Sequence, residues 1–265
     1  MKLFASTTAL ILITVGNFSI GIASAQTAEE KGLEIALEVD RRDTGFGDSG
    51  ASMEMILKNR KGDTSLRKVR VKTLEITGDG DKSMSIFDKP ADVKGTAFLT
   101  YSHSKEPDEQ WLYLPALKRV KRISSKNKSG PFMGSEFAYE DISSQEVDKY
   151  TYKFLREEDL DGKPTFVNEQ IPTYKNSGYT RQVVWIDQSR YIPLKIEFYD
   201  RKNSLRKTLI FSDYKQYKGK FWRAHSMHMT NHQNGKSTLL SWGEYTFSTG
   251  LSDKDFNKNV LKRAR

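Results

Sequence analysis

Segment after segment of this chain alternates its side chains with a period of two and ends in a tight turn. That pattern constrains the fold more than any other feature of the 265 residues. ASMEMILKN sets Met53, Met55 and Leu57 against polar neighbours, and Lys61-Gly62-Asp63 then turns the chain into LRKVRVKTLEIT. Successive strand residues point to opposite faces, so such runs bounded by Gly, Asn and Asp read as antiparallel strands joined by hairpins. YTYKFLREEDL, TFVNEQI, YTRQVVWID, IPLKIEFYD and SLRKTLIFSDYKQY continue the pattern, and KFWRAHSMHMTN with STLLSWGEYTFS makes a last hairpin. About eleven strands without alternating helices predict a mainly β fold, an antiparallel sheet or barrel.

One amphipathic helix precedes the strands, AEEKGLEIALEVDRR, with Leu33, Ala36, Leu37 and Asp40 in helical phase. SSKNKSGPFMGSEFAYEDIS is the longest stretch without a strand pattern and the best candidate for a functional loop, since long loops in compact domains are usually functional or disordered. SDKDFNKNVLKRAR closes the chain as a short helix and basic tail. No repeat or linker divides the chain, so residues 26–265 are expected to form a single domain.

The N-terminus shows why residue 26 is that boundary. Lys2 is followed by an uncharged run to Ala25 that ends Ala23-Ser24-Ala25, the pattern of a secretory signal peptide cut after Ala25. An uncleaved anchor is the competing reading, since the 23 residues from Leu3 to Ala25 are enough to reach across a bilayer, which takes ~20. There is no cysteine, which removes disulfides, thiolate nucleophiles, cysteine zinc sites and lipid attachment to a cysteine. An exported chain of this kind is held by its core alone. The net charge of +9, reduced by one if Lys2 is removed, raises the question of anionic partners. Export argues against nucleic acid.

Motifs for catalysis are scarce. There is no G-x-S-x-G elbow, phosphate loop or HExxH pair. His225, His228 and His232 are close in sequence, yet on a strand the first two face opposite ways, which argues against a shared metal. Glu140-Asp141 and Glu157-Glu158-Asp159 read as solvated turns. Nothing calls for a cofactor, and the expectation is a protein that is not an enzyme.

The unusual feature is apolar surface on both faces of the strands. In VVWI, Val183 and Trp185 oppose Val184 and Ile186; in WLYL, Trp111 and Tyr113 oppose Leu112 and Leu114. An antiparallel sheet with one wet face alternates cleanly, so either helices cover the second face or the sheet curls around an apolar occupant.

WLYLPALKRVKRI, FMGSEFAYEDI and RQVVWIDQSRYIPLKIEFYDRKNSLRKTL resemble the outer-membrane lipoprotein-sorting proteins, the LolA-like periplasmic carriers, in the longer branch associated with RND-type exporters. The likeness runs from about residue 53 to the C-terminus. It implies a strongly curved, unclosed half barrel whose mouth is covered by short helices, and a carrier that holds the acyl chains of a lipid or lipoprotein. Residues 33–39 would supply one covering helix and PFMGSEFAYEDI a further piece of lid. On this reading Trp111, Tyr113, Trp185, Ile196, Phe198, Phe211 and Trp222 are groove or core candidates, and Phe132, Met133 and Phe137 belong to the lid loop. Lys118, Arg119, Lys121 and Arg122 are candidates for contact with head groups, a membrane surface or an inner-membrane RND-type exporter. Related sheets serve as sensing modules, so an interaction domain is the alternative. Which strand face is concave is open at this level.

Overall fold

The computed structural model describes residues 26–264; the expected signal peptide, residues 1–25, lies outside the described residues. Helix α1 (Ala28–Asp43) opens on a capping box in which Thr27 Oγ1 accepts from the Glu30 N–H at 3.1 Å and Glu30 accepts from the Thr27 N–H at 2.8 Å. Two donors that a helix end leaves free are thereby satisfied. The buried stripe is not the expected one. Gly32 and Ile35 face the sheet with Val39 beside them, while Leu33 and Leu37 are 42% and 50% exposed. Close packing explains the rotation: a Cβ on Gly32 would lie 2.7 Å from the backbone N of Phe154 and 2.8 Å from the backbone of Lys153. The helix rests on bare strand backbone at the one residue without a side chain.

Strands β1 (Asp48–Lys58), β2 (Thr64–Leu74), β3 (Lys82–Lys89), β4 (Ala97–Tyr101), β5 (Glu109–Leu114) and β6 (Arg119–Ile123) form one antiparallel meander. A second comprises β7 (Tyr150–Leu160), β8 (Lys163–Pro172), β9 (Arg181–Asp187), β10 (Pro193–Tyr199), β11 (Leu205–Tyr217), β12 (Phe221–Asn231) and β13 (Ser237–Trp242). Pairing of β1 with β13 joins the two into one sheet. The edge strands β6 and β7 do not pair, so the sheet is curved and unclosed. Fourteen strands among the described residues exceed the expected count of about eleven. One of the extra strands arises where STLLSWGEYTFS breaks: the Gly243 N–H donates to Ser52 O at 2.9 Å, and β14 (Thr246–Phe247) then pairs with the start of β1.

The two faces are packed differently. One carries a single apolar cluster from Leu112 on β5 through Phe98, Phe87, Val69, Met55, Leu240, Met229 and Leu209 to Ile196 and Val184 on β10 and β9. The other carries two separate clusters. Met84, Ile86, Leu99 and Trp111 are covered by Phe256, Leu261 and Ala264 of the C-terminal segment, which includes α2 (Lys258–Leu261). Tyr101 donates its hydroxyl hydrogen to Phe256 O and fixes that segment. The expected basic tail is therefore a strap with its own buried anchors. Further along, Val167, Val183 and Trp185 form the second outer cluster. It is sheltered by long charged side chains, with Lys195 Nζ 4.0 Å from the centre of the Trp185 ring and Glu158 accepting from Trp185 Nε1 at 3.1 Å.

Candidate functional site

Residues 124–149 connect the two edge strands. Within them Pro131 bridges Ala138, and the Phe132 N–H donates to Phe137 O at 2.7 Å. The turn between lies at Met133 and Gly134, both left-handed (φ 50° and 79°), and Arg67 donates to Met133 O from β2. This small loop drives Phe132 and Phe137 into the sheet, where they are 1% and 2% exposed. The Phe132 ring lies 5.0 Å from Phe98 and 6.0 Å from Phe87, with Tyr139 at 5.6 Å. Met133, Tyr139 and Ile142 pack around them.

The same loop is fastened to distant strands by polar groups. The Glu136 N–H donates to Thr238 Oγ1 at 3.0 Å, and its carboxylate accepts from Asn231 Nδ2 at 2.6 Å, which ties it to the β12–β13 hairpin. Gln110 Nε2 on β5 donates to Tyr139 O at 2.8 Å. Glu140 accepts from the Gly178 N–H and Ser177 Oγ, both at 2.8 Å, and Asp141 accepts from Tyr179 OH at 2.9 Å. Lys207 Nζ on β11 lies 3.2 Å from Tyr179 OH and 3.9 Å from Asp141. A short segment touches β2, β5, β11, β12 and β13 only if the face it covers curls inward, so this is the concave face. The loop lies over this face, in the position expected of a lid, and its aromatic rings occupy the concavity.

The fastenings are electrostatically costly. Burial raises the carboxyls of Glu140 and Asp141 above their ordinary range, and burial lowers Lys207, with Asp141 pulling the other way. Glu140 and Asp141 are therefore not the solvated turn that their sequence suggests. They were missed because a Glu-Asp pair in a loop looks the same whether water or a folded-back sheet surrounds it. The sequence held one signal, the concentration of three carboxylates beside Phe132 and Phe137 in the longest strandless stretch.

The aromatic candidates divide between the faces. Ile196 and Phe198 belong to the concave cluster, as do Phe132 and Phe137, with Phe211 and Met133 packed against it. Trp111 and Tyr113 lie on the outer face under the C-terminal strap, where Lys258 Nζ sits 4.4 Å from the centre of the Trp111 ring. Trp185 lies in the other outer cluster. Trp222 sits apart, with the Arg190 guanidinium 5.3 Å from its ring centre. Side-chain alternation puts neighbouring large apolar residues on opposite faces, and size alone does not say which is inner. Two of the three clustered histidines serve local bonds: His225 pairs with Tyr217 OH at 2.8 Å and Trp242 O at 2.9 Å, and His232 with Thr208 Oγ1 at 2.8 Å.

Of the four basic candidates, Arg122 pairs with Glu109 at 3.0 Å on the outer side of β6, whereas Lys118 and Arg119 follow Leu117 at the tip of the β5–β6 hairpin. Lys121 faces inward with Ile123. There, at the seam between β6 and the lid, an open cleft of about 350 Å³ is lined by Lys121, Ile123, Lys126, Asn127, Ser129, Gly130 and Tyr139.

Comparison with known proteins agrees with this architecture. A crystal structure from Vibrio parahaemolyticus, assigned as an outer membrane lipoprotein-sorting protein domain, is 65% identical over 89% of this chain and 100% of its own, with a TM-score of 0.87. The chain belongs to the outer-membrane lipoprotein-sorting protein family. A DUF1329 family protein from Desulfovibrio piger is 32% identical over 89% of this chain and 99% of its own, with a TM-score of 0.84. A LolA superfamily protein from Nitrosomonas europaea shares the fold at 21% identity and a TM-score of 0.70, covering 89% of this chain and 100% of its own. A family profile described as "-like: Uncharacterized protein" matches residues 79–263. No curated protein sequence matches the chain. The shared fold agrees with the curved, unclosed sheet, and the profile match at residues 79–263 includes both edge strands and the loop between them.

Proposed function

We propose that this lipoprotein-sorting family member is a non-catalytic carrier of the periplasm that holds the acyl chains of a lipid or lipoprotein against the concave face. The observation that carries the reading is the nature of the closure. The concave face is apolar from β5 to β9, yet it is covered by Phe132 and Phe137 on a loop held by side-chain hydrogen bonds, not by further strands. Acyl chains would take the place of those rings. Burial of each methylene is worth about 0.8 kcal/mol, so a single chain can offset the cost of releasing the lid. The expected signal peptide supports a periplasmic location. Protein purified from its native envelope is expected to yield a stoichiometric lipid on extraction and mass spectrometry, and emptied protein to take up a fluorescent fatty acid. A protein that is repeatedly empty and ignores the probe ends this reading.

A second reading, docking to an inner-membrane exporter of the RND type, is favoured by the β5–β6 hairpin. Leu117 at its tip is 67% exposed, and neither Lys118 nor Arg119 is paired with a carboxylate among the described residues. Lys118→Glu with Arg119→Glu is expected to abolish capture of an acidic membrane partner while fatty-acid uptake is kept. Unchanged capture removes the hairpin as the dock.

A further inference from the structure

The cleft at the seam between β6 and the lid joins two chemistries. Its floor includes Ile123 and Tyr139, which pack against the concave apolar cluster. Its rim carries the ammonium groups of Lys121 and Lys126, and neither is paired with a carboxylate among the described residues. The Asn127 amide and the Ser129 hydroxyl, also on the rim, bond no other described group. Glu140 of the lid is already occupied by Gly178, Ser177 and Tyr174. Lys128 is likewise directed elsewhere, with its Nζ 3.5 Å from the centre of the Tyr174 ring. The rim is thus a cluster of unused donors with net positive charge.

Volume narrows what could sit there. A cleft of about 350 Å³ lies at the small end of the roughly 300–1,000 Å³ typical of small-molecule sites, enough for a polar head but not for a diacyl lipid as well. Chains attached to such a head would meet Ile123 and Tyr139 first and continue onto the concave face beneath the lid. We propose that this cleft is the headgroup subsite for an anionic amphiphile, a phosphate-bearing diacyl lipid whose phosphate is held by Lys121 and Lys126 and whose chains run under the lid. The proposal rests on the carrier reading and adds a selectivity to it: cargo with an anionic head over neutral diacylglycerol cargo. The unpaired lysines would be drawn to phosphate as point charges, with Asn127 and Ser129 supplying neutral donors.

The test is displacement of a bound fluorescent fatty acid from the full chain by short-chain lipids kept below their micelle concentration. Dihexanoyl phosphatidylglycerol is expected to displace the probe at about tenfold lower concentration than dihexanoylglycerol, the order that charge-assisted hydrogen bonds supply. Lys121→Gln with Lys126→Gln is expected to erase that preference and leave displacement by the diglyceride unchanged. Equal displacement in the unaltered protein, or a preference that survives the double substitution, overturns the headgroup site and leaves the carrier intact. Failure of every lipid to displace, or of the probe to bind, overturns both. Inorganic phosphate at millimolar concentration is expected to have no effect on the phosphatidylglycerol curve; full competition would mark a free-anion site and overturn the amphiphile.

Discussion

Phe132→Ala is expected to lower the stability of the empty protein and, at the same time, to tighten its hold on a fatty acid. Removing a buried Phe side chain costs about 3–5 kcal/mol, through lost transfer energy and the space left behind. Phe132 makes its contacts with Phe87, Phe98 and Tyr139, so the loss falls on the closed lid. Under the carrier reading, cargo must displace that ring, and a state already deprived of it gives up less on binding. Even half of the lower figure corresponds to about tenfold in affinity. Phe98→Ala is the contrasting substitution, because Phe98 stands on β4 as part of the floor and its loss is expected to weaken both stability and binding. Thermal unfolding of empty protein and titration with a fluorescent fatty acid measure the two effects. If Phe132→Ala weakens binding in step with stability, the ring is ordinary core and the lid does not yield to cargo.

Lys207→Met carries the other large expectation. Lys207 and Asp141 are both nearly inaccessible, at 5% and 8% side-chain exposure, and each answers the other's burial through Tyr179. Removing one partner of a buried pair costs about 3–5 kcal/mol because the remaining charge is left uncompensated. The sign of the pH dependence follows from Asp141. Its carboxyl is raised by burial, and Lys207 is the main influence lowering it, so the substitution raises it further. A carboxyl whose folded value lies above its unfolded value stabilises the fold fully at low pH, and that contribution is lost as pH rises through the folded value. The deficit of Lys207→Met is therefore expected to be greatest at pH 8 and to shrink toward pH 5. Asp141→Asn in the same chain should recover most of it. Denaturant unfolding at both pH values decides the matter; a deficit that is independent of pH and not rescued by Asp141→Asn would place the role of Lys207 outside the pair.

Much of the sheet was legible because strand periodicity is local. Met53, Met55 and Leu57 alternate on β1 as expected, and the turns at Gly62 and Gly162 carry the left-handed backbone that their glycines allow. The helix was legible in place but not in orientation. Leu33 and Leu37 look like its buried stripe, yet contact with the backbone of β7 selects Gly32 and Ile35. That contact joins residues more than a hundred positions apart, which no window of sequence contains. The site shows the same division. Phe132 and Phe137 stood out by composition, whereas Asn231, Thr238, Tyr179 and Lys207 join them only because β9 to β13 curl back over the lid.

The sequence by itself determined the strand-rich, cysteine-free character of the chain, its family, and the one long loop able to cover a face. Tertiary structure decided which side of each strand is concave, because alternation distributes residues to two faces without naming either. It sent Trp111 and Trp185 outward, under a strap and a layer of charged side chains, and brought Ile196, Phe198 and Phe211 to the concave face behind the lid. It also decided that Glu140 and Asp141 are largely buried latches, since the cost of burying a carboxylate depends on partners that only the curve of the sheet assembles.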